Sequence, residues 1–146
     1  MRQFLLVPAM LLIWLPASAW SSSTEDDSKT IDGTWLPNEA ELGGQKFPDE
    51  TLKTLKLTMN DGKYTVKVGQ LIDKGTIKLE PTMKPKAMDI IGAEGPNKGK
   101  TFLAIYELTG DTLRICYDLA GKKRPTEFKT VKDTQQFLVS YKREKS

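Results

Sequence analysis

Residues 55–68 read Leu-Lys-Leu-Thr-Met-Asn-Asp-Gly-Lys-Tyr-Thr-Val-Lys-Val. Apolar and polar side chains alternate on both sides of the central Asn60-Asp61-Gly62, which is the period of a strand with one buried face. An Asn-Asp-Gly sequence between two alternating runs favours a tight turn. This stretch therefore predicts a β-hairpin.

The same alternation continues in both directions from the hairpin, while helical periodicity is nearly absent. Turn-forming residues divide it into about eight predicted strands, at residues 33–41, 55–59, 64–68, 75–80, 87–91, 101–108, 112–119 and 136–143. One short helix is predicted in Pro48–Lys53, where Pro48 is near a first-turn position and acidic residues follow it. The pattern predicts an all-β, antiparallel, eight-stranded barrel with one short helix after the first strand, placed to close one end.

Closure of the sheet removes two exposed edges and leaves an interior wide enough for side chains or one small ligand. Gly33-Thr34-Trp35 opens the first strand and Arg143 ends the last. In a barrel whose first and last strands are neighbours, the Arg143 guanidinium would lie over the Trp35 indole in a cation–π contact. Gly33 would give the backbone room there. Gly33, Trp35 and Arg143 are therefore the predicted closure residues.

Strand alternation also assigns side chains to the inner face of the barrel. The predicted inner residues are Leu55, Leu57, Met59, Tyr64, Val66, Val68, Ile77, Leu79, Met88, Ile90, Leu113 and Ile115. In strand 101–108 the face stays open between Phe102, Ala104, Tyr106 and Leu108 on one side and Leu103 and Ile105 on the other. The candidate ligand-lining residues are Leu57, Met59, Tyr64, Val66, Ile77, Met88, Ile90, Tyr106, Leu113 and Ile115. These side chains either line a ligand pocket or form a packed core.

The N-terminal segment has the features of a secretory signal peptide. One positive charge in Met1-Arg2-Gln3 precedes an apolar run from Phe4 to Leu15, and Ala17-Ser18-Ala19 forms an A-x-A cleavage pattern. We predict a signal peptide over residues 1–19, a disordered polar leader over 20–30 and the barrel domain over 31–146. An uncleaved anchor is the alternative. The mature protein is then exported to the periplasm, the envelope or the extracellular space as a monomer with no membrane span.

Composition excludes several classes of function. The 146 residues contain no histidine and one cysteine, with 22 basic and 19 acidic side chains. Without histidine, Ser-His-Asp and Cys-His catalysis and the commonest zinc ligand are absent, and we expect no metal and no cofactor. A net charge of +3 without a polybasic face predicts no nucleic-acid partner. Cys116 has no partner for an internal disulfide, so it is expected to be a packed residue.

Carboxylate-only hydrolysis needs two Asp or Glu side chains across a cleft. Asp89, Glu107 and Asp118 are the carboxylates well inside predicted strands, and each falls opposite the buried face or plausibly so. Asp89 is either solvated or paired with Arg124. No spacing forces two carboxylates together, so we predict no catalytic residues.

A longer set of motifs extends the Gly-x-Trp start and the terminal arginine. It comprises Gly43-Gly44, Asn60-Asp61-Gly62, Pro85 before Met88-Asp89-Ile90, Gly99-Lys100-Thr101, Ala104-Ile105-Tyr106-Glu107-Leu108, Gly110 to Tyr117, Arg124-Pro125 and Phe128. Together these resemble the uncharacterised lipocalin-like (calycin-type) domain family abundant in exported planctomycete proteins, over about Ile31 to Arg143. Members often show Gly-Ile-Tyr where this chain has Ala104-Ile105-Tyr106. The resemblance implies a fold and no particular reaction.

The sequence thus predicts an exported, non-enzymatic binding protein that holds a small apolar or amphipathic ligand in the barrel. The alternative is a protein-interaction or envelope-associated module with a packed interior and an unidentified protein partner. A carboxylate-only hydrolase is the third possibility. Cavity volume separates the first two, and convergent carboxylates in a cleft would indicate the third.

Overall fold

A computed structural model describes residues 27–145. The elements in chain order are α1 (Asp27–Thr30), β1 (Gly33–Leu42), β2 (Gln45–Lys46), α2 (Asp49–Leu52), β3 (Leu55–Asn60), β4 (Lys63–Val68), β5 (Leu71–Glu80), β6 (Ala87–Glu94), β7 (Thr101–Thr109), β8 (Thr112–Asp118) and β9 (Gln136–Arg143). The predicted signal peptide and the leader as far as residue 26 lie outside the described residues.

The sheet is a closed antiparallel barrel of eight strands, β1 and β3 to β9. Each strand pairs with its sequence neighbour, and β1 closes the ring by pairing with β9 from Trp35↔Arg143 to Leu42↔Phe137. The two-residue β2 is an extra strand on the end of β1, and α2 is a single turn after the first strand. The predicted fold class is confirmed.

Strand β5 shows the largest difference from the predicted strand boundaries. Strand β5 begins at Leu71, four residues before the predicted start, and pairs Leu71 with Val68 across a turn at Gly69 and Gln70. The sequence pattern does not show residues 71–74 as part of the strand, because Leu71 and Ile72 are consecutive apolar residues and so break the alternation of apolar and polar side chains. Both are exposed in the structure. The register with β6 shifts between Lys74 and Gly75, because Ala93 is an extra residue in β6 between the paired Gly92 and Glu94.

The predicted disordered leader is wrong for residues 27–30. Asp27–Thr30 forms one helical turn, α1, and the Asp27 side chain is buried. A polar segment orders here because it hydrogen-bonds to groups at the end of the barrel rather than by burying apolar surface.

The hydrophobic core lies inside the barrel. Of the predicted inner residues, Leu57, Met59, Tyr64, Met88, Leu113 and Ile115 are buried in one cluster, and Leu55, Val66, Ile77, Leu79 and Ile90 are partly buried against it. Val68 is 40% exposed because it lies at the rim. The open question in β7 is settled in favour of Ala104, Tyr106 and Leu108, which belong to the inner cluster or pack against it.

A second buried layer lies on the outer face of the wall, beneath residues 119–135. Ile105 and Cys116 pair across β7 and β8 and are buried, although they point away from the barrel interior. The Cys116 thiol contacts the Lys129 carbonyl, with 3.6 Å between sulfur and oxygen. Burial raises the pKa of the thiol. Cys116 is therefore a packed residue, as predicted.

The two ends of the barrel differ in their connections. The closed end carries α1 and the turns at 61–62, 81–86 and 110–111. The open end carries the 43–54 connection with β2 and α2, the 69–70 turn, the 95–100 loop and the start of the 119–135 segment. Below, these two regions are called the closed end and the open end.

Candidate functional site

At the closed end, Arg143 covers Trp35. The guanidinium carbon lies 4.3 Å from the centre of the fully buried indole, which is the cation–π contact predicted from the sequence. The same guanidinium donates to the carbonyls of Asp32 (2.7 Å) and Thr30 (2.6 Å). Gly33 has a φ of +137°, and a Cβ there would lie 2.8 Å from Arg143 Nη1. All three closure residues therefore meet at one place.

A buried carboxylate completes the closed end. Asp27 Oδ2 accepts hydrogen bonds from the Tyr106 hydroxyl and the Lys86 ammonium, both at 2.8 Å. Burial raises the pKa of the Tyr106 phenol, and its bond to Asp27 raises it further. These polar groups therefore satisfy one another, and Lys86 reaches the network from a partly exposed position.

The open end contains a mostly apolar pocket of about 300 Å³, which we call the mouth pocket. This volume is at the lower end of the range of small-molecule sites, about 300–1,000 Å³. Its lining residues come from the barrel rim and the 43–54 connection: Leu42, Phe47, Thr51, Leu55, Lys56, Leu57, Val66, Val68, Tyr117, Leu119, Phe137 and Tyr141.

A smaller cavity of about 50 Å³ lies next to the mouth pocket inside the barrel, and we call it the inner cavity. It shares four lining residues with the mouth pocket: Leu57, Val66, Tyr117 and Tyr141. A water molecule needs about 10–15 Å³ of such space, so the inner cavity has room for a small polar group. Asp73 and Asn97 also line it.

Asp73 is a second buried carboxylate, 8% exposed, on the inner face of β5. Its Oδ2 accepts from the Tyr64 hydroxyl (3.2 Å) and from Asn97 Nδ2 (2.9 Å), and its Oδ1 accepts from the Asn97 backbone N–H (3.4 Å). Gly95 lets the loop approach this closely, since a Cβ there would lie 3.0 Å from the Asp73 Cα. Burial raises the pKa of the Tyr64 phenol, and the Asp73 charge raises it further.

Two tyrosines that line this space, Tyr117 and Tyr141, have hydroxyls with no hydrogen-bond partner within residues 27–145. Tyr64 and Tyr106 donate to carboxylates, but no residue from 27 to 145 hydrogen-bonds to the hydroxyl of Tyr117 or Tyr141. Because the described residues contain no fully buried polar side-chain atom without a partner, both hydroxyls retain some solvent exposure. Burial raises the pKa of both phenols, which remain neutral near pH 7.

Aromatic rings connect the two cavities. Tyr117 lies 5.7 Å from Phe102 and 5.4 Å from Phe137 between ring centres, and Phe137 lies 5.6 Å from Phe47. The row runs from the inner cavity, which Phe102 lines, to the mouth pocket, which Phe47 and Phe137 line. An apolar ligand entering at the mouth would contact ring faces along its length.

The ten predicted lining residues divide into three groups. Leu57 and Val66 line both cavities, and Met59, Tyr64, Ile77, Ile90 and Ile115 line the inner cavity alone. Met88, Tyr106 and Leu113 line neither cavity and belong to the packed core. The sequence interpretation did not identify Asp73, Asn97, Phe47, Tyr117, Phe137 or Tyr141 as lining residues.

The predicted pairing of Asp89 is present on the outer wall. Arg124 donates to Asp89 Oδ1 at 2.6 Å and to the carbonyl of Ala104 at the same distance. The pair is partly buried, with about a fifth of each side chain exposed. Asp89 therefore anchors the 119–135 segment on the outside of the barrel.

Other clefts lie on the outside of the barrel. One of them has a volume of about 630 Å³ and lies between the 81–86 turn and β7, with Lys84, Lys86 and Glu107 among its lining residues. Its walls are more polar than those of the mouth pocket, and it is more open to solvent. It is a surface groove rather than an enclosed site.

Within residues 27–145, no group of three His, Cys, Asp or Glu side chains is placed to hold a metal ion. No helix in the same part of the chain is long and apolar enough to cross a membrane. Comparison with protein-family models, with curated proteins and with solved structures finds no match to the chain. The site is therefore interpreted from its own residues.

Proposed function

We propose that this protein is a non-enzymatic, lipocalin-like binding protein that holds a small amphipathic ligand at the open end of its barrel. The observation that carries the proposal is the apolar and aromatic mouth pocket of about 300 Å³, which shares lining residues with an inner cavity. Two tyrosine hydroxyls among the lining residues have no partner in the described part of the chain. Apolar walls with a few convergent polar groups are the usual composition of a small-molecule site.

The size of the cavities supports a small ligand. Fully buried side chains, among them Trp35, Met88 and Leu113, fill the half of the interior nearer the closed end. The ligand therefore lies in the half nearer the open end. Its apolar part contacts Phe47 and Phe137, and its polar part points toward Tyr117 and Tyr141.

The hydrolase alternative is less well supported. Asp27 and Asp73, the two buried carboxylates among residues 27–145, have separate sets of hydrogen-bond donors. Asp27 is bonded to Lys86 and Tyr106 at the closed end, and Asp73 to Tyr64 and Asn97 beside the inner cavity. Hydrolysis by two carboxylates requires both to face one cleft.

Export is part of the same proposal and rests on the predicted signal peptide over residues 1–19. N-terminal sequencing of the protein purified from its own source is expected to begin at Trp20. A first residue upstream of the apolar run would contradict it.

Binding is tested with phenylnaphthylamine, an uncharged probe whose fluorescence rises in apolar surroundings. We expect saturable binding at one site. Val68→Trp should abolish it, because Val68 lines the mouth pocket and is exposed enough to accept a larger side chain. Ile91→Trp is the matched control, since Ile91 is equally exposed (41%) and lines neither cavity. Absence of saturable binding, or equal binding by both variants, would contradict the proposal.

Native mass spectrometry of the protein from its own source addresses the physiological ligand. A reproducible additional mass that denaturation releases would identify the class of ligand. A mass for the chain alone, together with no uptake of the probe, would indicate a packed interior.

One observation favours a protein partner as a second candidate function. Leu71 and Ile72 are 54% and 44% exposed at the start of β5, where Leu71 pairs with the mouth-pocket residue Val68, and adjacent exposed apolar side chains are typical of interaction surfaces. Replacing both by serine should leave probe binding intact. If it abolished association with a partner in pull-downs from the native source, this second function would be supported.

A further inference from the structure

We propose that the pocket selects amphipathic amines: the ligand's ammonium group occupies the inner cavity beside Asp73, and its apolar tail fills the mouth pocket. This inference rests on the proposed function and specifies the ligand class. It follows from the charges and hydrogen-bonding groups around the inner cavity.

Asp73 supplies an uncompensated negative charge. Its carboxylate is buried and accepts three hydrogen bonds, all from neutral groups of Tyr64 and Asn97. Among the ion pairs formed within residues 27–145, none includes Asp73. Burial of a carboxylate without a counter-charge is costly, and a ligand cation would reduce that cost.

Asp27 differs from Asp73 in having a cationic partner. Asp27 is the other buried carboxylate of the described chain, and it also accepts from a tyrosine hydroxyl, but Lys86 Nζ lies 2.8 Å from it. The closed end therefore has a cation from the chain itself. Beside Asp73, the position that corresponds to the Lys86 ammonium lies in the inner cavity, where the ammonium of a ligand can occupy it.

The remaining lining groups suit an ammonium. The hydroxyl oxygens of Tyr117 and Tyr141 have no partner within residues 27–145 and can accept N–H donors. The rings of Phe102 and Tyr117 stand beside the same space, and aromatic faces attract cations within about 6 Å. A cavity of about 50 Å³ accommodates a headgroup of this size.

The same groups disfavour a carboxylate ligand. The inner cavity has no lysine or arginine among its lining residues, all of which belong to the described chain. Lys56 lines the mouth pocket, but its ammonium is exposed and pairs with Glu144 at 3.5 Å. A fatty-acid headgroup would therefore meet Asp73 without a compensating cation, and like charges at short range repel strongly in a partly buried site.

The test uses octylammonium, octanol and octanoate, which share a tail and differ in headgroup charge, as competitors of phenylnaphthylamine at neutral pH. We expect octylammonium to bind at least about tenfold more tightly than octanoate, with octanol between them, because close charges in a protein interior interact far more strongly than in water. Asp73→Asn should remove the preference by weakening octylammonium while leaving octanol unchanged.

Asp27→Asn is the matched control, because it removes a buried, tyrosine-bonded carboxylate that lines neither cavity. It should keep the preference of the native protein. The ranking in the native protein needs no variant, so it tests the inference even if Asp73→Asn does not fold. Equal or tighter binding of octanoate would overturn the inference and leave the proposed function standing. Failure of all three ligands and of the probe would overturn both.

Discussion

The two ends of this barrel use the same residue types for different purposes. At the closed end, the Tyr106 hydroxyl, the Asp27 carboxylate and the Lys86 ammonium bind one another, and Arg143 covers Trp35. At the open end, Asp73 has tyrosine and amide donors but no cation, and two tyrosine hydroxyls have no partner within the described chain. From this difference we expect the larger share of stability at the closed end, and under the proposed function the ligand binds at the open end.

The largest expected effect is the loss of the indole at the closed end. Trp35→Ala should lower the free energy of unfolding by about 3–5 kcal/mol, the cost of truncating a large, fully buried aromatic side chain. Phe137→Ala at the open end should cost less, roughly 1–2 kcal/mol, because Phe137 is only partly buried and borders an existing cavity. Equilibrium urea denaturation followed by circular dichroism measures both. Equal losses would contradict the division between the two ends.

Asp27→Ala tests whether the first helical turn belongs to the domain. Removal of the carboxylate leaves the Tyr106 hydroxyl buried without its partner, so unfolding should become easier by about 1–3 kcal/mol. Lys29→Ala, an exposed position in the same turn, should change stability by no more than about 0.5 kcal/mol. A similar small change for both variants would show that α1 contributes nothing to the fold.

A comparison of two glycines isolates the contact with Arg143. Gly33 and Gly99 both have positive φ values, +137° and +80°, but a Cβ at Gly99 meets nothing within 4 Å. Gly99→Ala should therefore cost only backbone strain, about 1 kcal/mol. Gly33→Ala should cost roughly 1 kcal/mol more, because it also displaces the guanidinium from Trp35. Thermal denaturation of the two variants side by side measures the difference, which would vanish if the contact were unimportant.

A pH effect shared by four tyrosines is expected under alkaline conditions. Burial raises the pKa values of Tyr64, Tyr106, Tyr117 and Tyr141 in the folded protein. A phenol that keeps its proton more tightly when folded contributes full stability below its unfolded pKa of about 10, and this contribution is lost as pH rises above that value. The free energy of unfolding should therefore fall between about pH 9 and pH 12. Tyr141→Phe should reduce the slope of this fall, and tyrosinate absorbance that rises well before unfolding would contradict the account.

The sequence predicted most of the barrel because local signals determine it. Strand alternation and glycine-containing turns placed the strands of the hairpin at 55–68 within one residue of their observed bounds. The pairing of Trp35 with Arg143 followed from closure, since neighbouring first and last strands bring both residues to the same end. These predictions depend on the alternation of apolar and polar residues along strands and on the order of the strands, and both can be read from a single sequence.

The polar part of the site could not be predicted in the same way. Asp73 lies after two consecutive exposed apolar residues, so alternation did not assign it to the inside. Its partners Tyr64 and Asn97 are 9 and 24 residues away in sequence, and Asn97 reaches it from a loop. Asp27 is 79 residues from Tyr106. No local sequence pattern indicates such contacts. The one available signal was the position of Asp73, which follows Leu71 and Ile72 and precedes Gly75 in the same strand.

The most direct test of the central claim is a nuclear magnetic resonance titration of the protein with octylammonium. The account predicts chemical-shift changes confined to the open half of the barrel, at Phe47, Asp73, Tyr117, Phe137 and Tyr141, with Trp35 and Tyr106 unchanged. Changes centred on the closed end, or saturation with no change around Asp73, would contradict it.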